Sequence, residues 1–231
     1  MNYNRATGKT VPIYMDTEFT SLSKDSELLS IGLIADDGEF FYAEITDYDK
    51  SKIDPWVKDN VIKNFINDDF TKTETLVSEV DLNGFVVGYR ATGTKSYIKD
   101  RLTDWLEKQY KKYCNTKLQI YADVLSYDWM LFVDLLGSNA FCLPKYIYYI
   151  PLDLASVLQE RGIDPDYDRE VFVENYITSL HYGEGKVEPI DVEPPIVFDG
   201  DIRKHNALWD AYICRYIFKV LQLNEDKSLN I

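Results

Sequence analysis

Residues 28–45 read LLSIGLIADDGEFFYAEI, and this stretch decides the fold. Both halves are rich in strand formers, and Asp37-Gly38 stands between them. An Asp-Gly pair supplies the positive-φ backbone of a tight hairpin turn. Two antiparallel strands therefore open the sheet, and the rest of the chain is read outward from them.

Upstream, VPIYMDTEF (11–19) is a short apolar run suited to a strand. Downstream, TKSYIKDRLTDWLEKQYKKY (94–113) places Ile98, Leu102, Trp105 and Leu106 at helical spacing. LQIYAD (118–123) reads as another strand. YDWMLFVDLLG (127–137) reads as a short helix closed by Gly137, a residue suited to a C-cap. LDLASVLQERG (152–162) is a second compact helix that also stops at glycine. Residues 163–204 are acidic and irregular, with Pro189, Pro194 and Pro195 late in the stretch. They read as a long excursion, in the manner of a lid, rather than a second domain. A last helix runs from about Asn206 to Leu223. Helices thus follow and alternate with strands, and residues 1–231 are expected to form one α/β domain with a mixed sheet.

With 45% hydrophobic and 28% charged residues the composition is that of a globular protein. No apolar run reaches the eighteen residues of a membrane span, and MNYNRATGKT has no apolar signal-peptide core. The expected address is the cytoplasm, away from membranes. Cys114, Cys142 and Cys214 are widely spaced and read as buried free thiols rather than a disulfide or zinc framework. The net charge of −14 argues against a protein that coats long nucleic acid. Segment 85–117 departs from it, with eight Lys/Arg against three acids. That run reads either as a solvated helix face or as a phosphate-facing patch.

Asp-x-Glu recurs in this acidic chain, but only Asp16-Thr17-Glu18 lies in a strand-like run. Residues i and i+2 of a strand share a face, so Asp16 and Glu18 project together. Two such carboxylates repel unless a cation or proton lies between them. The pair is a metal site or an exposed edge-strand acid pair. In HNALWDAYICRYIFKVL (205–221) the other charged residues of the helix are Arg215 and Lys219. At roughly 100° per residue these lie about 40° apart and mark a solvent stripe, with Asp210 about 140° and 180° away from them. A carboxylate on the face away from solvent needs a metal, a cation or hydrogen-bond donors. His205 precedes the helix and reads as structural or as a base. Asp128 would sit in the first turn of its helix, where its charge suits the dipole. Asp123 ends the preceding strand.

An Asp-x-Glu on the first strand, an Asp after Tyr at a helix start, and a His-x-x-x-x-Asp opening a C-terminal helix occur here in that order. The order resembles the DEDDh branch of the DnaQ-like 3'→5' exonuclease superfamily. The resemblance covers roughly residues 11–160 and 203–223, and HNALWDA is its most specific piece. DTEFTSL and the hairpin resemble the first motif, and PLDLASVLQERG resembles the helix after the second. DTEF with SYDWMLFVDLLG looks most like small stand-alone bacterial 3'→5' exoribonucleases. Many relatives carry Asn four residues before the second-motif Asp. Here that residue is Val124, which leaves Asp123 as the alternative to Asp128.

The resemblance implies an RNase H-like sheet led by the hairpin and flanked by helices. It implies two divalent cations, Mg²⁺ or Mn²⁺, which suit a carboxylate site without a Cys or His cluster. Asp16, Glu18 and Asp210 would hold one cation and Asp16 would bridge to the second, with Asp128 assisting. His205 would take the proton of the attacking water. Thr17, Phe19, Leu22 and Tyr127 are the expected substrate contacts, with core packing the other reading of Phe19 and Leu22. The implied substrate is single-stranded or short RNA, and relatives are often homodimers. A 3'→5' DNA exonuclease and an inactive nucleic-acid-binding or interaction module on the same fold are the alternatives.

Overall fold

The computed structural model of the protein describes residues 10–66, 74–182 and 204–228. Its strands are β1 (Thr10–Phe19), β2 (Leu28–Ala35), β3 (Phe40–Ile45), β4 (Thr75–Val80), β5 (Val86–Gly93), β6 (Lys117–Ala122) and β7 (Ile147–Asp153). They form one sheet in the order β4-β5-β3-β2-β1-β6-β7. The β1–β2 and β2–β3 pairs are antiparallel, whereas β6 runs parallel to both β1 and β7. Strand β2 alone therefore opposes its neighbours in the segment β3-β2-β1-β6-β7. This is the mixed, hairpin-led sheet of the RNase H-like fold. The β4–β5 hairpin extends it beyond β3, parallel to β3 through β5.

The hairpin forms where the Asp-Gly signal placed it. Gly38 takes φ +95°, and Ala35 and Glu39 close the turn through a 2.9 Å backbone bond. Strands β2 and β3 are buried along their whole length, so the sheet is covered on both faces. One face carries α2 (Lys95–Lys112) and α3 (Ser126–Gly137), and the other carries α6 (Ala207–Ser228). Strand β1 divides between them with period two. Ile13 and Met15 join the core under α2 and α3, while Tyr14 joins the core under α6. Asp16 and Glu18 share the parity of Tyr14 and so belong to the α6 face.

Several expectations change in three dimensions. Arg215 and Lys219 do not mark a solvent stripe. Arg215 is buried and donates to Asp36 O at 2.8 Å, and Lys219 pairs with the Asp36 carboxylate. That face of α6 rests on the hairpin turn. Its opposite side is roofed by α5 (Arg169–Tyr182), whose Val173 and Tyr176 pack against the α6 core. Between Asn206 and Leu221, Asp210 and Lys219 are the residues left part-open. Helix α5 also corrects the reading of 163–204 as irregular; residues 183–203 of that stretch lie outside the described residues. Helix α3 runs through Gly137, and Ser138 at φ +58° takes the left-handed cap. Cys114 and Cys142 are exposed, and Cys214 alone of the three is buried.

The basic segment behaves as a solvated helix face. Lys108 and Lys112 hold Glu39, Lys111 pairs with Glu107, and Arg101 pairs with Asp104. Its helix, α2, lies on the sheet face opposite Asp16. The remaining helices are α1 (Pro55–Asn60), which Asp54 caps through the Trp56 amide, and α4 (Leu154–Glu160), which Asp153 caps. Among the described residues no helix is long and apolar enough to cross a membrane.

Candidate active site

Asp16 and Glu18 stand near the C-terminal end of β1, the strand that pairs with both β2 and β6. Their face meets the N-terminal turn of α6. That turn is fixed by Asn206, which is buried. Its Oδ1 accepts from the Leu208 and Trp209 amides at 3.0 and 3.3 Å, an N-cap of the ordinary kind. Its Nδ2 donates to Asn64 O at 2.8 Å and to Tyr42 Oη at 3.4 Å. The helix start is thereby tied to the segment after α1 and to β3.

His205, just outside the cap, has φ +62°. In this conformation its backbone N–H donates to Asp210 Oδ2 at 3.0 Å. Its ring meets the Trp56 indole edge-on, with centroids 4.9 Å apart. Ligand atoms of Glu18, His205 and Asp210 all lie within 4.8 Å of one another.

Asp128 reaches the same place from the other side of β1. Strand β6 ends at Ala122 and α3 begins four residues later, which puts Asp128 in the first helical turn. Its Oδ1 accepts from the Thr17 amide at 3.0 Å and from Thr17 Oγ1 at 2.6 Å. Thr17 has the parity of Met15, so its hydroxyl faces α3 and is used within the protein. Asp123 is held differently. Arg169 grips it with two bonds, Nε to Oδ2 at 2.7 Å and a terminal nitrogen to Oδ1 at 3.0 Å.

Asp16, Asp123, Arg169, Lys204, His205 and Asp210 line one cavity of about 340 Å³. The carboxylates crowd each other there. Burial first, and then the charges of Asp128, Asp210 and Glu18, push the Asp16 carboxyl well above its usual range. Burial and the charges of Asp210 and Asp128 do the same to Glu18. Asp128 and Asp210 are also raised, mainly by burial. His205 is lowered by burial and then by Lys204, which favours a neutral ring able to accept a proton.

Among the described residues, no hydrogen bond or ion pair is made by the Asp16 or Glu18 carboxylate. Crowded, poorly solvated carboxylates of this kind are costly without a cation. An oxygen-rich set with one imidazole suits a hard divalent ion. The donor set therefore fits the cations that the resemblance implies.

The structure brings Asp16, Glu18, Asp128, Asp210 and His205 to one end of the sheet. Of the expected substrate contacts, Leu22 is 79% exposed on the loop after β1. Phe19 and Tyr127 stack on each other with centroids 5.2 Å apart. Asn206, Trp56 and Arg169 escaped the sequence reading. Asn before a helix and the Asp54-Pro55 pair are legible cap signals, whereas nothing local marks Arg169.

No family model matches the chain. Over 49 residues, 21% of its length, it is 39% identical to two curated proteins of Mycobacterium tuberculosis. These are 3'-5' exoribonuclease MT2234.1 of strain CDC 1551 / Oshkosh and 3'-5' exoribonuclease Rv2179c of strain ATCC 25618 / H37Rv. The match spans 29% of the length of each relative.

Proposed function

We propose that this chain is a metal-dependent 3'→5' exoribonuclease of the DEDDh type. It shortens single-stranded or short RNA from the 3' end and releases nucleoside 5'-monophosphates. The observation that carries this reading is the convergence of carboxylates on His205: Asp16 and Asp210 line one cavity with it, Glu18 lies within 4.8 Å of His205 and Asp210, and Asp128, held by Thr17, adds its charge to theirs. The exoribonuclease names of the two partial relatives support it.

In this reading Asp16, Glu18 and Asp210 would hold one divalent cation, and Asp16 would serve a second with Asp128 assisting. When bound, such cations supply positive charge that stabilises the oxygens of the phosphoryl group in flight. The chain's own residues do the rest. Thr17 orients Asp128 by two hydrogen bonds. The N–H of His205 fixes Asp210, and Trp56 packs on the imidazole. A neutral imidazole so placed takes the proton of the attacking water. Arg169 occupies Asp123, which leaves Asp128 as the second-motif carboxylate. Leu22, exposed on the loop after β1, would face the terminal base. The enzyme works in the cytoplasm, and a homodimer is its expected assembly.

The test is a digestion of 5'-labelled RNA and DNA oligomers of one sequence with Mg²⁺ or Mn²⁺. Wild type should give a ladder shortened stepwise from the RNA 3' end, and Asp210→Ala should give none. Digestion of DNA alone would replace RNA by DNA in the proposal. Digestion of neither polymer would favour a binding module on this fold, and unchanged digestion by Asp210→Ala would remove the site.

A further inference from the structure

Gly32 lies in the middle of β2, where no turn or positive φ requires glycine. Its cross-strand partners are Asp16 on β1 and Tyr42 on β3. Residues directly opposite one another in a sheet share a face. Gly32 therefore lies on the α6 side, between a site carboxylate and the tyrosine that bonds Asn206.

The first turn of α6 sits directly on it. A Cβ added to Gly32 would lie 2.4 Å from Ala207 O and 2.5 Å from Leu208 Cα. Both are backbone atoms, so no side-chain rotation could relieve the contact. Ordinary contact begins near 3.4 Å, which means the helix start would have to lift by about 1 Å. Metal–ligand distances tolerate only about 0.2 Å. Asp210 and His205 ride on this same turn, whereas Asp16 and Glu18 stay with the sheet.

We infer that Gly32 is a positioning residue for the acidic centre: its missing side chain sets the helix–sheet separation at which Asp210 and His205 meet Asp16 and Glu18. This rests on the cation-binding reading of the site. Other elements do not fix that separation as directly. The Asn206 cap orients the helix start, but its partners, Asn64 and Tyr42, are side contacts, and the vertical stop is the bare β2 backbone. Alanine at position 32 should leave the sheet hydrogen bonds in place and pull the two halves of the centre apart.

Widening should be felt unequally by different ions. Mg²⁺ demands near-ideal octahedral geometry with bonds of about 2.0–2.1 Å, whereas Ca²⁺ accepts flexible geometry at about 2.3–2.6 Å. General destabilisation would not discriminate between them. Gly88 provides the control. Its added Cβ would meet the Phe40 ring at 2.4 Å, a clash as close as that of Gly32 but with a buried side chain, on β5 and away from the acidic centre.

The experiment is calorimetric titration of Mg²⁺, and separately of Ca²⁺, into wild type, Gly32→Ala and Gly88→Ala. Wild type should bind both ions. Gly32→Ala should bind Mg²⁺ at least about 10-fold more weakly and lose distinctly less affinity for Ca²⁺, while Gly88→Ala should match wild type for both. Wild-type Mg²⁺ affinity in Gly32→Ala would overturn the inference while leaving the functional proposal standing. An equal loss for both ions in the two glycine variants would do the same, since it marks a folding effect. Binding of neither ion by the wild type would overturn the functional proposal itself, and this inference with it. If Gly32→Ala fails to fold, Ala211→Val decides. Ala211 is buried one turn beyond Ala207 on the same face of α6, and its added methyls are a softer wedge. A fall in the Mg²⁺/Ca²⁺ affinity ratio supports the inference, and an unchanged ratio overturns it.

Discussion

Val124 follows the grip of Arg169 on Asp123 and has φ +47°, left-handed backbone in a β-branched residue that is 65% exposed. Such a conformation costs a non-glycine residue roughly 1–2 kcal/mol, and least for asparagine. Asn at this position is also the residue of many proteins that the chain resembles. Val124→Asn should therefore stabilise the fold by about 1 kcal/mol, a rise in melting temperature of roughly 2–4 °C for a chain of this size. An unchanged or lowered midpoint in a heat scan would show that the turn is not strained. Thr17 offers a second test. Thr17→Val keeps the shape and the amide bond to Asp128 but removes the 2.6 Å hydroxyl bond. Turnover should fall by about 10–100-fold, the usual cost of losing a group that orients a ligand, alongside a stability loss of about 1–2 kcal/mol from the buried carboxylate oxygen that loses one donor. Strand parity made Asp16 and Glu18 legible in the sequence. The same parity sends Thr17 to the opposite face, which is why its hydroxyl meets α3 and not the α6 cavity.

Helix α6 brings Asp210, and His205 just before it, to the carboxylates of β1. Its apolar rows were readable from their spacing, and the oddity of Asp210 with them. The role of its cations was not, because a charged residue on a helix can face water or a buried turn carbonyl with the same periodicity. Arg215 and Lys219 do the latter, at Asp36. The cap is what holds this helix to the site. Asn206→Ala removes the acceptor for two amides and leaves the Asn64 carbonyl without its donor. The combined cost should be about 2–3 kcal/mol, read as a lower urea midpoint at unchanged slope. Helix α5 is fastened by a different device. Arg169 and Asp123 are each about one-fifth exposed, between the surface and buried classes of ion pair. Arg169→Met should cost roughly 1–3 kcal/mol, and protease cleavage near residues 163–170 should quicken. A surface-type loss near zero, with unchanged cleavage, would show that α5 is held by packing alone.

Over the whole molecule, cation binding and acid stability can be separated. A ligand that binds only the folded state at 100 times its dissociation constant stabilises by about 2.7 kcal/mol. Saturating Mg²⁺ should thus raise the wild-type melting temperature by roughly 5–10 °C and leave Asp210→Ala unmoved. Equal shifts in both would place the ion elsewhere. The acid limb has its own source in Glu27, away from the cavity. Lys52 first, and then the Asp49 amide and Lys95, hold its carboxyl down at about 2 against the partial opposition of burial. A depressed folded-state pKa contributes stability that is full above the unfolded value near 4.5 and is lost as pH falls through about 2. The melting-temperature gap between wild type and Glu27→Gln should accordingly be widest above pH 5 and close as pH approaches 2. A gap independent of pH would remove this ion pair from the acid response.

The sequence by itself determined the hairpin, the face on which Asp16 and Glu18 project, the apolar rows of the last helix and the position of Asp128 in a first turn. Each depends on chemistry within a few residues: a positive-φ turn, a period of two, a period of 3.6, a short link from strand to helix. The meeting of these pieces was decided by tertiary structure. Thr17 finds Asp128 from 111 residues away, and Arg169 finds Asp123 across 46. The final helix closes on the sheet at Gly32, where a missing side chain leaves room for the backbone of its first turn. Local spacing cannot encode such encounters, because they follow from which faces the whole chain must bury together.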